Sequence, residues 1–258
     1  MKGRNIICLI CVLFPVLLFA QKNKGIELNV VFIGNSITQG VLLSDPINDA
    51  PPVQAVQWLR GQPQLSNVDF SNQGVSGMTT VDFLPVSGTL FPKVVKAAER
   101  LVQQHSRATL LFSIMLGTND SAIKGPNGSP VSPQQYYTNV KVIIDELLAI
   151  YPKAVFVLHR PVWYSPNTYN GSMYLKEGLQ RLVSYLPQLQ NLVAYYETKV
   201  PGQVCLGDIE AFAYFEANYA TDVTPENGNA GIFYLHPNKK GAARLGEFWG
   251  NAIYRVIK

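Results

Sequence analysis

Leu28-Asn29-Val30-Val31-Phe32-Ile33-Gly34-Asn35-Ser36-Ile37-Thr38 is the stretch on which the fold turns. Leu28 to Ile33 is a short, almost wholly apolar run that Gly34 ends, the pattern of a strand buried in a parallel sheet. Ser36 then stands where the strand turns sharply into a helix starting near Ile37. Similar runs predict strands at Val68-Asp69-Phe70-Ser71, Thr109-Leu110-Leu111-Phe112-Ser113-Ile114-Met115-Leu116 and Ala154-Val155-Phe156-Val157-Leu158, with Leu192-Val193-Ala194-Tyr195 as a fifth. Helical patterns lie between them. Ser132-Pro133 is a helix-start signal, and Tyr136, Val140, Ile143, Ile144, Leu147 and Tyr151 follow at three- and four-residue steps as one apolar stripe before Pro152. A last helix is predicted over 239–256, with Ala242, Leu245, Trp249, Ala252 and Val256 on one face. Strands alternating with helices predict a three-layer α/β/α sandwich around a mostly parallel, five-stranded sheet.

Before that domain, Lys2 and Arg4 precede an apolar run from Ile6 to Phe19, and Leu18-Phe19-Ala20 precedes Gln21. The run is shorter than the ~20 residues a membrane span needs. It reads as a secretory signal over 1–20, leaving a single domain over 21–258 with no stable membrane insertion after cleavage. The chain carries 21 Lys and Arg against 17 Asp and Glu, a formal net charge of +4. The basic residues are scattered, so no nucleic-acid partner is expected. Of 3 cysteines, Cys8 and Cys11 leave with the signal. Cys205 remains alone, so one chain can form no disulfide, and the residue is expected to be a small buried hydrophobe.

Four short segments supply chemistry. Ser36 offers a hydroxyl nucleophile and a backbone N–H near a developing oxyanion. Gly74, in Asn72-Gln73-Gly74-Val75-Ser76-Gly77, offers a second N–H. Asn119, in Gly117-Thr118-Asn119-Asp120, offers a side-chain NH₂. His236, before Pro237, offers a base. Taken singly each has a plainer reading: Ser36 as a helix N-cap, Gly74 as an ordinary turn, Asn119 as a local turn bond and His236 as a structural histidine. Ser36, Gly74 and Asn119 all follow the ends of predicted strands, where parallel sheets collect their chemistry. There is no Gly-x-Ser-x-Gly elbow, no phosphate-binding loop and no zinc-type histidine pairing, so no cofactor is implied.

In this order and spacing the four segments resemble the SGNH (GDSL-like) hydrolase family, from about Val30 to the C-terminus. The resemblance implies a flavodoxin-like fold and a serine esterase with Ser36 and His236 as catalytic residues and Ser36, Gly74 and Asn119 as the oxyanion hole. Two positions depart from the family pattern. Asn35 replaces a common aspartate beside the nucleophile. Phe233 stands three residues before the histidine, where the family usually has an acid. Either a backbone carbonyl holds the His236 ring, the reading we favour from sequence, or an acid comes from the loop expected over 221–231, where Asp222 and Glu226 are the candidates.

The resemblance further suggests a secreted, periplasmic enzyme that removes O-acetyl groups from a small-molecule or oligosaccharide ester, with plant polysaccharide fragments or sialic acids as substrates. Trp163, Tyr164 and Tyr169 follow the fourth strand and could stack on a sugar, or pack their own loop. Arg160 could meet a substrate carboxylate, or form a structural ion pair. Two other readings stand beside this one, a lysophospholipase or thioesterase acting on acyl chains, and a carbohydrate-binding relative weakened by Phe233.

Overall fold

The computed structural model describes residues 25–258. The expected signal at 1–20 lies outside the described residues. In chain order the elements are β1 (Ile26–Gly34), α1 (Ser36–Gln39), α2 (Pro46–Asp49), α3 (Pro51–Arg60), β2 (Leu65–Gly74), α4 (Phe91–Gln104), β3 (Thr109–Met115) and α5 (Pro133–Ile150), then β4 (Val155–Leu158), α6 (Leu175–Val183), α7 (Tyr185–Glu197), β5 (Val204–Leu206), α8 (Ala211–Asp222), β6 (Val223–Gly228), β7 (Gly231–Pro237) and α9 (Lys239–Ile257). Strands β1 to β5 form one parallel sheet in the order β2-β1-β3-β4-β5. Strands β6 and β7 form a separate antiparallel hairpin.

Alternation along β1 sorts the two helical layers. Phe32 stacks on Trp249 of α9 with ring centroids 6.1 Å apart, and α9 packs along α3. Asn29, on the opposite face, donates through Nδ2 to the carbonyls of Leu101 and His105, both at 3.1 Å. This polar residue inside an apolar run thereby caps the carbonyl end of α4 and is fully buried without wasting its amide donor. Phe112 of β3 meets Tyr151, just past α5, whose hydroxyl donates to the α4 carbonyl of Val95 at 3.1 Å. Thus α4 and α5 share the face opposite α9. Trp249 is 1% exposed, and removing a ring of this size from such a core costs about 3–5 kcal/mol.

Ser132 caps α5 by accepting from Gln135 N at 3.1 Å, with Pro133 in its first turn. The fifth strand is not where the sequence suggested. Leu192 to Tyr195 lie inside α7, where Leu189, Leu192 and Tyr196 form a buried face at helical spacing. The sheet's fifth strand is instead Val204–Leu206, three residues paired to β4. Cys205 on that strand is half-buried rather than enclosed. Segment 221–231, expected to be a loop, is the end of α8 and the first strand of the hairpin. No described helix is long and apolar enough to cross a membrane.

Candidate active site

The chain leaves β1 to one side for β2 and returns across it to β3, so the order reverses beside β1. The crevice at the carboxyl ends of β1 and β3 is where such sheets bind ligands. Ser36 follows β1 there. Asn35, not Ser36, is the N-cap of α1, its Oδ1 accepting from Ile37 N at 3.1 Å. This leaves the Ser36 hydroxyl unused by the helix, and its backbone N–H is one of the first-turn donors without an intrahelical acceptor. A Cβ at Gly34 would overlap the Thr38 side chain, so glycine is what lets α1 fold back this tightly on the strand.

His236 Nε2 lies 2.9 Å from Ser36 Oγ. On its other side, His236 Nδ1 lies 2.9 Å from Glu226 Oε1, which also accepts from the His236 backbone N–H at 3.3 Å. A carboxylate only accepts, so Nδ1 carries the proton and Nε2 is free to accept from the serine. Glu226 stands on β6 and His236 on β7, so one hairpin carries both. The backbone carbonyl expected to hold the ring is replaced by this carboxylate. Asp222 is committed elsewhere, accepting from Tyr214 Oη at 2.6 Å, Thr221 Oγ1 at 2.7 Å and Lys240 Nζ at 2.7 Å. Burial opposes its ionisation, but these donors outweigh that and hold its carboxyl below the usual range. Phe233 is 1% exposed, a core side chain facing Gly228.

The glycine-containing loop corrects the expectation for Gly74. The Gly74 N–H donates to Asn72 Oδ1 at 2.9 Å, so it is not free for an oxyanion. A Cβ there would run into Thr38 and Gln39, which makes Gly74 the point where α1 closes onto β2. Val75 N donates to Gly34 O at 3.1 Å, Ser76 N to Gln39 Oε1 at 2.7 Å and Met78 N to Val75 O at 3.3 Å. Among these described residues Gly77 alone keeps an N–H without an intramolecular acceptor. Its φ of +78° favours glycine, and a Cβ there would meet nothing within 4 Å. The open side of this glycine was not legible in a motif containing two glycines.

Asn119 follows β3 and is 3% exposed. Its Nδ2 donates to Met78 O at 2.9 Å, and its Oδ1 accepts from Tyr174 Oη at 2.7 Å. One amide hydrogen of Asn119 remains. The adjacent Asp120 is fully buried, accepting from Thr80 N at 2.9 Å and from Thr80 Oγ1. Burial pushes its pKa up to about 6, against the pull of those two donors.

Of the side chains expected to meet a sugar, Trp163, Tyr164 and Arg160 are engaged within the protein. Tyr164 is fully buried with its hydroxyl 2.9 Å from Ser121 Oγ. Trp163 is buried against Tyr219. The Arg160 guanidinium carbon sits over the Phe212 ring, 3.7 Å from its centroid, and burial lowers its pKa. Tyr169 is half-buried and bridged to Met173. His159 is a core residue. Its Nδ1 accepts from Asp208 N at 3.0 Å, so Nε2 bears the hydrogen given to Ser113 Oγ at 2.9 Å. Burial, then the charge of Arg255, pushes its pKa down to about 3.

Fold and site together define a serine hydrolase of the SGNH class, with a five-stranded parallel sheet and a Ser–His pair at its carboxyl edge. The chain belongs to the GDSL-like lipase/acylhydrolase family, whose profile matches residues 32–244, and it is thus a carboxylic ester hydrolase. No curated protein sequence matches it. Among solved structures it is similar to an aryl esterase of M. smegmatis, at TM-score 0.58 and 17% identity over 90% of this chain and 100% of that one. It is also similar to a carbohydrate acetylesterase of Sinorhizobium meliloti, at 0.55 and 15% over 90% and 100%. A two-domain esterase active on acetylated mannans matches at 0.53 and 17% over 90% of this chain. The chain spans 50% of that esterase's length. At identities this low the likeness shows a shared fold alone.

Proposed function

We propose that this chain is an exported serine esterase that removes O-acetyl groups from carbohydrates. The observation that carries the chemistry is the unbroken line Ser36 Oγ, His236 Nε2, His236 Nδ1 and Glu226 Oε1, with both hydrogen bonds at 2.9 Å. In this reading His236 takes the Ser36 proton as Oγ attacks the ester carbonyl, and Glu226 holds the ring in the tautomer that can accept it. The oxyanion meets the N–H groups of Ser36 and Gly77 and the remaining amide hydrogen of Asn119. His236 then returns the proton to the departing sugar hydroxyl, and water repeats the sequence to release acetate. The intact Glu226 contact speaks against a weakened binding relative. Carbohydrate as substrate is supported by the acetylated-mannan and carbohydrate esterases among the similar folds. Export rests on the leader-like 1–20. The test is acetate release from acetylated mannan, xylan, pectin and sialic acid, with Ser36→Ala as control. Release from none of them, alongside hydrolysis of long-chain esters, would sink the carbohydrate reading.

A second reading has its own observation. A groove of about 320 Å³ beside α1 is lined by Pro46, Ile47, Val53 and Phe70 together with Gln39 and Gly74. Ile47 is 83% exposed. Such a groove suits an apolar acyl chain. A kcat/KM that climbs from acetyl to octanoyl esters would favour it.

A further inference from the structure

Within the active site, the Asn119 carboxamide has a problem that the protein must solve. Its oxygen and nitrogen are nearly the same size, so a half-turn about the last side-chain bond exchanges them. In one orientation an N–H faces the oxyanion. In the other a carbonyl oxygen does, and it repels the charge it should stabilise. Met78 O accepts from Nδ2 at 2.9 Å on one side and Tyr174 Oη donates to Oδ1 at 2.7 Å on the other. A main-chain carbonyl cannot donate, so the flipped amide would face Met78 oxygen to oxygen and lose that bond.

Tyr174 is held for this contact. It is 3% exposed, and burial pushes its pKa up to about 12, which keeps the phenol neutral and able to donate. It packs edge-on against Tyr164 at 5.4 Å. The next residue, Leu175, has φ +54°, a conformation a branched side chain rarely adopts and that surrounding contacts must maintain. Thr168 O accepts from both Tyr174 N at 3.2 Å and Leu175 N at 3.1 Å. The segment 165–174 also ties to the hairpin that carries the base. Ser165 N donates to Tyr234 O at 2.9 Å and Tyr234 N donates to Ser165 Oγ at 2.8 Å. Asn229 N donates to Tyr169 O at 2.8 Å. One strap therefore joins the Asn119 amide to the strand bearing His236.

We infer that Tyr174 is a positioning residue for ester hydrolysis, its hydroxyl fixing and polarising the Asn119 amide so that the free N–H faces the oxyanion. This rests on Asn119 being an oxyanion donor. Nothing in the Ser36–His236–Glu226 line requires Tyr174.

The experiment is a double-mutant cycle on a small acetyl ester, comparing parent, Tyr174→Phe, Asn119→Ala and the double variant in the full mature chain. Asn119→Ala should lower kcat by about 10²–10³. Tyr174→Phe should lower kcat by about tenfold with KM within about twofold, because the amide, still held on one side by Met78 O, loses the bond that steadies and polarises it where the transition state needs it. In the Asn119→Ala background the same change should move kcat by less than about twofold, the non-additivity of residues acting through one group. An equal loss in both backgrounds, or no loss in the parent, overturns the inference. An Asn119→Ala variant with unchanged kcat overturns the oxyanion reading itself, a distinct result. If Tyr174→Phe fails to fold, 3-fluorotyrosine at position 174 preserves the shape and lowers the phenol pKa. Its kcat should then fall at alkaline pH as the phenol ionises while the parent's does not, and identical pH profiles would overturn the inference.

Discussion

Glu226 on β6 lies 2.9 Å from His236 Nδ1 on β7, although the two stand ten positions apart in the chain, across strand and turn. Antiparallel pairing sets Glu226 opposite Phe233, and an irregularity in the register lets His236 reach back to the carboxylate. A carboxylate thus reaches the histidine from the neighbouring strand, where Phe233 offers none.

Glu226→Gln should lower kcat by about 10³–10⁴, the loss seen when a triad acid becomes an amide and the histidine tautomer is no longer imposed. Asp222→Asn should leave kcat within about threefold while lowering thermal stability, because its carboxylate accepts from Tyr214, Thr221 and Lys240 and does not reach the histidine. Phe233→Asp should unfold the protein or lower its Tm sharply, with no gain in rate, since it buries an unpaired carboxyl. Steady-state kinetics with thermal melts decide all three, and a normal kcat in Glu226→Gln would return the histidine to another partner.

Ser36→Ala should abolish ester hydrolysis, with a loss on the order of 10⁴–10⁶, and leave the Tm nearly unchanged because Asn35 supplies the helix cap. Labelling by a fluorophosphonate should disappear with the hydroxyl. Persistent labelling in a folded Ser36→Ala protein would assign the nucleophile elsewhere.

The two glycines of the second segment should separate by phenotype. Gly77→Ala meets open space but a positive φ. It should cost about 1–2 kcal/mol of stability and lower kcat as the free N–H shifts. Gly74→Ala collides with Thr38 and Gln39 and should act chiefly on Tm by pushing α1 off β2. Matching effects on kcat at equal Tm would put the two N–H groups on the same footing.

His159 should give stability a pH dependence of predictable sign. It is held neutral in the folded protein, with a pKa of about 3 against 6.5 unfolded, so below pH 6.5 the unfolded chain binds a proton the native one refuses. Its contribution is full above pH 6.5 and is lost as pH falls toward 3. In urea unfolding, the stability advantage of the parent over His159→Gln should shrink by up to about 3 kcal/mol between pH 6.5 and 4. A constant difference would show that His159 titrates alike in both states.

Much of the scaffold was legible because strand and helix periods are local. The apolar run into Gly34 and the Ser132-Pro133 start each bury one face decided within a few residues. Reading failed where local pattern is ambiguous. Leu192 to Tyr195 could be strand or helix by apolarity alone, and packing of Leu189 and Tyr196 on the same face decided for helix. Val204–Leu206 is too short to carry a period, and only β4 makes it a strand.

The sequence by itself determined the parallel sheet, the positions of Ser36, Asn119 and His236, and the short list of acids. Tertiary structure alone decided that Glu226 rather than Asp222 meets the histidine, that Gly77 rather than Gly74 keeps a free N–H, and that Tyr164 is core. It also brought Tyr174 to Asn119, 55 residues away. Hydrophobic periodicity is written residue by residue, whereas a hydrogen bond between distant side chains depends on register, rotamer and competing partners that exist only once the chain has packed.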